Sequence, residues 1–542
     1  MKNTFSFLLL WICVATAGKA IARDKTGANE EPALKPPRIL CPVPPEYSDE
    51  QRVFQGIPSV TQSPGGRLWA NWYTGGPGEG HLNYVLLASS DDRGETWSKP
   101  ILAIDPDGPG PIRAYDPAMW TDPNGRVWLF WAQGGSWWDG RSGTWAMTCE
   151  DPDAENAQWS DPRRLFDGIM MCRPTVDAEG RWLFPASIWQ VTPNSIPELR
   201  RDMGDLKGAN IFVSTDEGKT FSHLGQARTP KADATFDEHM IVQRKDGSFW
   251  VLLRTKYGIG EATSTDGGKT FTPVTPSAIK HTSARFFIRR LNSGALLLVK
   301  HGPKVEEKTG RSHLTAFVSD DDGQTWNGGL LLDERGGVSY PDGIQNRDGT
   351  IYIIYDYSRT GSKQILMARI TEDDVRASKL VSDASKLRLQ VNQATGMGKP
   401  RLKFEAKTNA DGVPLKAGPA AEIKPTVGTV AKFRAGAVLF TDREYRAWDP
   451  PQDLKDKRLL RDSIERSSFT CVTPGIVYVL TPAKDRNRDS VIDQLTEQGF
   501  EKVRMKEFLL FGNIPGNICT VCQKELAKGE KIELGKWGVV VW

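Results

Sequence analysis

Short apolar runs, each entered through a glycine turn, recur along the first two thirds of the chain. The segments "GGRLWANW", "NGRVWLFW", "EGRWLFPA", "DGSFWVLL", "SGALLLVK" and "DGTIYIIY" each place a turn Gly before an apolar strand. Their glycines are Gly66, Gly125, Gly180, Gly247, Gly294 and Gly349, separated by 59, 55, 67, 47 and 55 residues. No long amphipathic helical pattern interrupts them. Six repeats of this length, each holding several short strands, predict an all-β six-bladed β-propeller over residues 50–375.

A second pattern lies across the first. "SSDDRGETW" at Ser89 returns as "STDEGKTF" at Ser214, "STDGGKTF" at Ser264 and "SDDDGQTW" at Ser319. The Asp accepts backbone N–H groups in its own tight turn, Gly supplies a left-handed conformation, and Trp or Phe packs into the blade. The box pins a hairpin and carries no chemistry itself.

The pattern changes after residue 375. Residues 376–430, rich in Lys, Ala, Pro and Gly, read as a linker. From residue 431, "GIVYVLTP", "EFLLFGN" and "KWGVVVW" flank a predicted helix "DSVIDQLTEQGF" in a small accessory domain, β-rich or α+β. "DRNRDSVIDQL" alternates Asp485, Asn487 and Asp489 like a calcium loop. Ser490 replaces the required Gly and Thr496 the bidentate acid, so capping of the helix by Asp489 or Ser490 is the better account.

Composition narrows the class of partner. The 542 residues hold 70 Lys plus Arg and 67 Asp plus Glu, a formal net charge of +3, which gives no reason to expect nucleic acid. Lys2, the apolar run Phe5 to Ala17 and Ala20-Ile21-Ala22 form a signal peptide over residues 1–22, followed by an extension over 23–49. No other stretch has the apolar length of a membrane span. A secreted or periplasmic protein is expected. Six cysteines remain after cleavage, too few for a disulfide framework, and Cys519-x-x-Cys522 lacks the second pair of a structural zinc site. The six histidines form no i, i+4 helical pair. Neither a metal nor a cofactor is expected.

Candidate chemistry emerges from the repeat register. Nine residues before each turn Gly stand Ile57, Asp116, Met171, Glu238, Arg285 and Tyr340; seven after it stand Tyr73, Ala132, Ser187, Arg254, His301 and Asp356. Strand positions in a β core should be apolar. Acids, arginines and a tyrosine at matched positions instead point to an axial site, with Arg173 in the same ring. Solvated or ion-paired residues lining a wet axis are the bland alternative.

Four boxes in a six-repeat β chain resemble the Asp-box proteins of the sialidase (neuraminidase) superfamily, over residues 50–375. The resemblance implies an arginine triad for a substrate carboxylate, a Tyr nucleophile with a Glu partner, and an acid/base carboxyl. "FDEHMIVQRKDGSFWVLLRT" then gives Glu238 and Arg254, "GRSHLTAFVSDDDGQTW" gives Arg311, and "SYPDGIQNRDGTIYIIYD" gives Tyr340. Asp356 takes the place of the acid that supports the first arginine, and "GEGHLNYVLLASSDD" puts Glu79 at the acid/base position. The family's first arginine precedes Ile-Pro; here "VFQGIPSV" has Gly56. Loss of one charge-assisted contact costs about 1.5–3 kcal/mol, so Arg113, Arg173 or Arg285 substitutes, or the substrate differs.

The expected activity is that of an exo-glycosidase releasing a terminal acidic sugar from a glycan. Tyr340, Glu238, Glu79 and Asp116 form the catalytic set; Arg254, Arg311, Arg173, Arg285, His301 and Asp356 form the binding set. The alternatives are a polysaccharide lyase with Tyr340 or His301 as base, a rhamnosidase-like hydrolase, and a carbohydrate-binding propeller using Trp137 and Trp138.

Overall fold

The computed structural model describes residues 31–108, 110–135, 138–189, 199–396, 406–443, 445–448, 450–485, 487, 489–511 and 515–542. The expected signal peptide, and Trp137, lie outside these residues. Strands dominate throughout, as the apolar runs predict. Six antiparallel sheets follow one another in chain order. Their opening strands are Gln55–Gln62, Ile112–Thr121, Thr175–Val176, Asp237–Gln243, Phe287–Arg290 and Val338–Gln345. Each sheet then adds three strands in sequence order, and the first also carries the preceding strand Arg38–Leu40 at its outer edge. The opening strand of the first sheet packs against those of both the second and the sixth, so the row of sheets closes on itself.

Burial follows from this arrangement. The second strand of the first sheet, "LWANWYT" over Leu68–Thr74, is buried at every position because neighbouring sheets cover both faces. Trp69, Val127, Leu252, Leu298 and Ile353, from five of the sheets, belong to one shared core.

The box turns close as expected. In the third sheet Asp216 Oδ1 accepts from Thr220 N at 2.9 Å and Ser214 Oγ at 2.8 Å, while Oδ2 accepts from Thr220 Oγ1 at 2.6 Å. They also do something the sequence pattern does not reveal. Each box joins the third strand of a sheet to the fourth, and its glycine lies against the preceding sheet. A Cβ on Gly218 would stand 2.7 Å from the Trp128 ring, one on Gly323 2.7 Å from Trp250, and one on Gly94 would overlap Met367. The second and sixth sheets have no box, and the same connection docks by other means. Asp153 binds Ser63 and Gly65 N of the first sheet, and the helix Glu372–Ala377 pairs Arg376 with Asp320 at 2.7 Å.

These hydrogen bonds pull the Asp216 carboxyl down to about 2, the Thr220 side chain first and its backbone N–H next. Its stabilisation is therefore present above the ordinary carboxyl range and lost as pH falls towards about 2. Asp216→Ala should lower the melting temperature at pH 7, and the deficit should shrink in acid. Calorimetry across pH measures this, with turnover per folded molecule unchanged.

Two boundaries differ from expectation. The segment expected as a linker contains Lys386–Gln393, the outer strand of the sixth sheet. "KLRLQVNQ" alternates exposed polar with covered apolar residues, which suits an edge strand. Glu422–Pro425, within the same segment, pairs with Ser467–Thr473 in the C-terminal region. That region holds a three-stranded and a seven-stranded sheet with their own apolar clusters. Its helix Ile492–Glu497 has Val491, not Asp489 or Ser490, at the N-cap position, while Ser490 Oγ accepts from Ile492 N at 3.5 Å just before it. All six described cysteines are free thiols. No described helix is long and apolar enough to cross a membrane.

Candidate active site

One backbone irregularity recurs in four opening strands. Strand register shifts between Gly56 and Ser59, Tyr115 and Ala118, Asp237 and Met240, and Ser339 and Asp342. Inside each shift one residue adopts left-handed φ: Ile57 at 54°, Asp116 at 45°, Glu238 at 45° and Tyr340 at 52°. These are β-bulges, which re-aim a side chain where pairing breaks. Pro58, Pro117 and Pro341 follow three of them, each lacking the N–H that a continuous ladder needs. Left-handed residues other than glycine cost of order 1–3 kcal/mol and persist where the surroundings over-determine them. The nine-residue offset before each turn Gly was reading this bulge. Met171 and Arg285, at the same offset, have no positive φ.

The bulges bring Tyr340 and Glu238 together. The Tyr340 hydroxyl donates to Glu238 Oε1 at 3.3 Å, and Arg254 Nη1 donates to the same oxygen at 2.7 Å while lying 3.3 Å from the phenol oxygen. Tyr340 is 5% exposed, Glu238 3% and Arg254 8%. Arg254 reaches the site because its strand pairs it with Asp237, beside Glu238. Burial, then the neighbouring Glu238, raise the Tyr340 pKa against the pull of Arg254, Arg311 and Arg359, so the resting phenol is neutral. Glu238 Oε2 is buried and has no hydrogen-bond partner among the described residues.

Two more guanidiniums flank the phenol ring. Arg311 lies 5.2 Å from the ring centroid and donates to Ser339 Oγ at 2.8 Å; among the described residues no ion pair engages it. The other is Arg359, 5.0 Å from the same ring, which the repeat count did not reach. It pairs with Glu79 at 2.6 Å and lies 3.8 Å from Asp356. Asp356 also accepts the Ile57 N–H at 2.9 Å and is fully buried, so it supports the site from behind rather than facing a ligand. Burial pushes its carboxyl up to about 6 against the pull of Arg359.

The two candidate acids separate electrostatically. Burial opposes ionisation of Glu79, but Arg359, Arg113 and Arg311 outweigh it and hold the carboxyl below its ordinary value. At Asp116 burial dominates, Glu79 and Glu238 add to it, and the carboxyl rises to about 8. Near neutral pH one acid is charged and the other protonated.

The other candidates are placed elsewhere. Arg173 and Arg285 both bind Asp342, at 2.6 and 3.3 Å, and Arg173 also donates to Val60 O at 2.8 Å. They form a buried floor, and Asp342 was not foreseen. Arg113 stacks 3.7 Å from the Tyr115 ring centroid and donates to Asn83 at 3.0 Å. His301 is fully buried, with one ring nitrogen 3.0 Å from Val338 O and the other 3.0 Å from His281 Nε2. Burial lowers its pKa to about 3, and it has no nitrogen left for a sugar or a proton transfer. Trp138 packs edge-on against Trp189 and Phe236, and Phe236 in turn carries Arg254 4.9 Å from its ring.

Parts of the chain are similar to known proteins. A model of the BNR repeat-like domain matches residues 66–353. A sialidase of Micromonospora viridifaciens is 26% identical over 360 residues, covering 58% of this chain and 54% of that protein. The chain thus spans about half the length of this curated relative. Among solved structures, a leech intramolecular trans-sialidase complexed with 2,7-anhydro-Neu5Ac is 15% identical, covering 63% of this chain and 71% of that one, with TM-score 0.47. The intramolecular trans-sialidase from Ruminococcus gnavus, in complex with oseltamivir carboxylate, is 15% identical, covering 63% and 98%, with TM-score 0.46.

Proposed function

The chain belongs to the BNR repeat-like domain family, and from that premise we propose that it is a sialidase-type glycoside hydrolase releasing a terminal acidic sugar. In this reading the six sheets are the blades of one propeller, the C-terminal region with its strand Glu422–Pro425 forms an accessory domain, and residues 1–22 direct export to the periplasm or medium. The observation that carries it is the buried contact of Tyr340, Glu238 and Arg254.

A carboxylate nucleophile would be repelled by an anionic sugar, whereas a neutral phenol is not. Tyr340 Oη attacks the anomeric carbon as Glu238 takes its proton. The bond to the leaving oxygen breaks, and a protonated carboxyl supplies the proton that oxygen needs. Water then cleaves the glycosyl–tyrosine bond. Its proton goes to the carboxylate left by the first step, and the phenol recovers its own from Glu238. Arg254 and Arg311 hold the substrate carboxylate.

Asp116 is the better proton donor, because Glu79 is held charged by Arg359. The activity should therefore fall as pH rises through about 8, where Asp116 loses the proton it must give. Asp116→Asn should remove that alkaline limb and slow natural glycosides by about 10²–10⁴-fold. An aryl glycoside with an acidic leaving group should be nearly spared, since it needs no protonation. If Glu79→Gln removes the limb and Asp116→Asn does not, the donor is Glu79. Incubation with a panel of sialosides, uronides and neutral glycosides tests the activity itself. Release of a reducing acidic sugar supports the reading; an unsaturated product, or retention without turnover, overturns it.

A further inference from the structure

We propose that Arg359 supplies the third guanidinium of the substrate-carboxylate clamp, threading from the sixth sheet through space that Gly56 leaves open in the first; this rests on the acidic-sugar reading above. A Cβ on residue 56 would overlap Arg359 Cδ and stand 2.6 Å from its Cγ and 2.8 Å from Asp356 Oδ2. The alkyl stem of Arg359 therefore runs through the volume that any side chain at position 56 would begin in.

The backbone is tied in the same place. Gln55 N donates to Arg359 O at 3.1 Å, and Asp356 Oδ2, 3.8 Å from Arg359 Nε, accepts from Ile57 N. One carboxylate thus links both strands, and residue 56 and Arg359 exclude each other sterically. At its far end, the guanidinium stands 5.0 Å from the Tyr340 ring, where Arg311 stands at 5.2 Å and Arg254 reaches the hydroxyl. Three forks from the fourth, fifth and sixth sheets surround one phenol.

The other arginines considered for this role are buried against other partners: Arg173 and Arg285 pair with Asp342, Arg285 keeping Nε and Nη1 unbonded but fully buried, and Arg113 contacts Asn83 and the Tyr115 ring. Arg359 is the one whose side chain is still 20% exposed, beside a Glu79 side chain 31% exposed, so an incoming anion can reach it. A planar guanidinium already contacting one carboxylate presents its remaining N–H donors to a second.

The competing role is purely structural, an ion pair joining the last sheet to the first. A steric double-mutant cycle separates the two. N-acetylneuraminic acid and glucuronic acid serve as probes, with calorimetric binding and thermal melting measured on the full chain. Arg359→Ala should weaken binding of the acidic probe by about 10- to 100-fold. Gly56→Ala should do nearly as much by displacing the Arg359 stem. The double variant should be no worse than Arg359→Ala alone, because the new methyl occupies vacated space. Arg359→Lys should recover part of the affinity. If wild type binds an acidic probe and Arg359→Ala binds it equally while melting lower, Arg359 is structural and this inference falls, with the hydrolase reading intact. Additive losses in the double variant would also overturn it. If wild type binds neither acidic probe, both readings fall.

Discussion

Tyr340→Phe should leave a folded protein that binds its substrate nearly as well as wild type yet turns it over on the order of 10³-fold or more slowly. The substitution removes one oxygen. The ring remains between Arg311 and Arg359, so its stacking with both cations is retained. The lost hydrogen bond to Glu238 is 3.3 Å long, so little stability depends on it. What disappears is the oxygen proposed to bond to the anomeric carbon and then leave. A fall confined to kcat, with KM little changed, is the signature of a group needed in the transition state but not for binding. Mass spectrometry gives an independent reading. Wild type quenched with a slow-turnover fluorinated acidic glycoside should carry one sugar on the peptide containing Tyr340, and the variant none. A variant within tenfold of wild type would end the covalent mechanism.

The largest effect on stability should come from Asp342→Asn. Asp342 is 1% exposed and is the carboxylate shared by Arg173 and Arg285, with Ser59 Oγ bonded to it as well. The amide is nearly isosteric, so no cavity opens. Two buried guanidiniums, however, lose their counter-charge, and breaking buried pairs in this way costs about 3–5 kcal/mol. Urea unfolding measures it directly. Burial opposes ionisation of Asp342, but its two arginines hold the pKa below the ordinary value. Its contribution is thus present above the unfolded carboxyl pKa and lost as pH falls through the folded one. Wild type should lose stability in strong acid more steeply than the variant. A variant within 1 kcal/mol (about a fivefold change in the unfolding equilibrium) would show that the floor does not need its charge.

The scaffold was legible because its signals are local. A turn glycine followed by an apolar strand announces itself within eight residues, and so does an Asp box. The bulge stations were legible for a subtler reason: each lies at the same distance before its turn, so counting found Asp116, Glu238 and Tyr340 without any knowledge of bulges. The count also returned Met171 and Arg285, where the backbone lacks the bulge. Arg254 was reached by counting forward, and Arg311 only through resemblance, because it lies in an irregular loop. Arg359 was out of reach. Its role depends on the first sheet meeting the sixth, and no local pattern connects Gly56 to a residue some three hundred positions away. Asp342 was passed over for a similar reason: pairing with Arg173 and Arg285, from two other sheets, is a property of the closed ring.

The distribution of charge around the ring gives the pocket a direction. Arg254, Arg311 and Arg359 come from three consecutive sheets, the fourth to the sixth, while Glu79, the acid that stays charged near neutral pH, comes from the first. Glu238 and Asp356 offset Arg254 and Arg359 locally, so Arg311, in no ion pair among the described residues, gives the later sheets their excess positive charge opposite the charged Glu79. An approaching ligand with charge at one end experiences a torque before it touches any residue, and enters with its anionic end turned towards the later sheets. Orientation is then set by long-range field as well as by contact, so it weakens with added salt, over a Debye length of about 10 Å at 0.1 M, while the shape of the pocket does not.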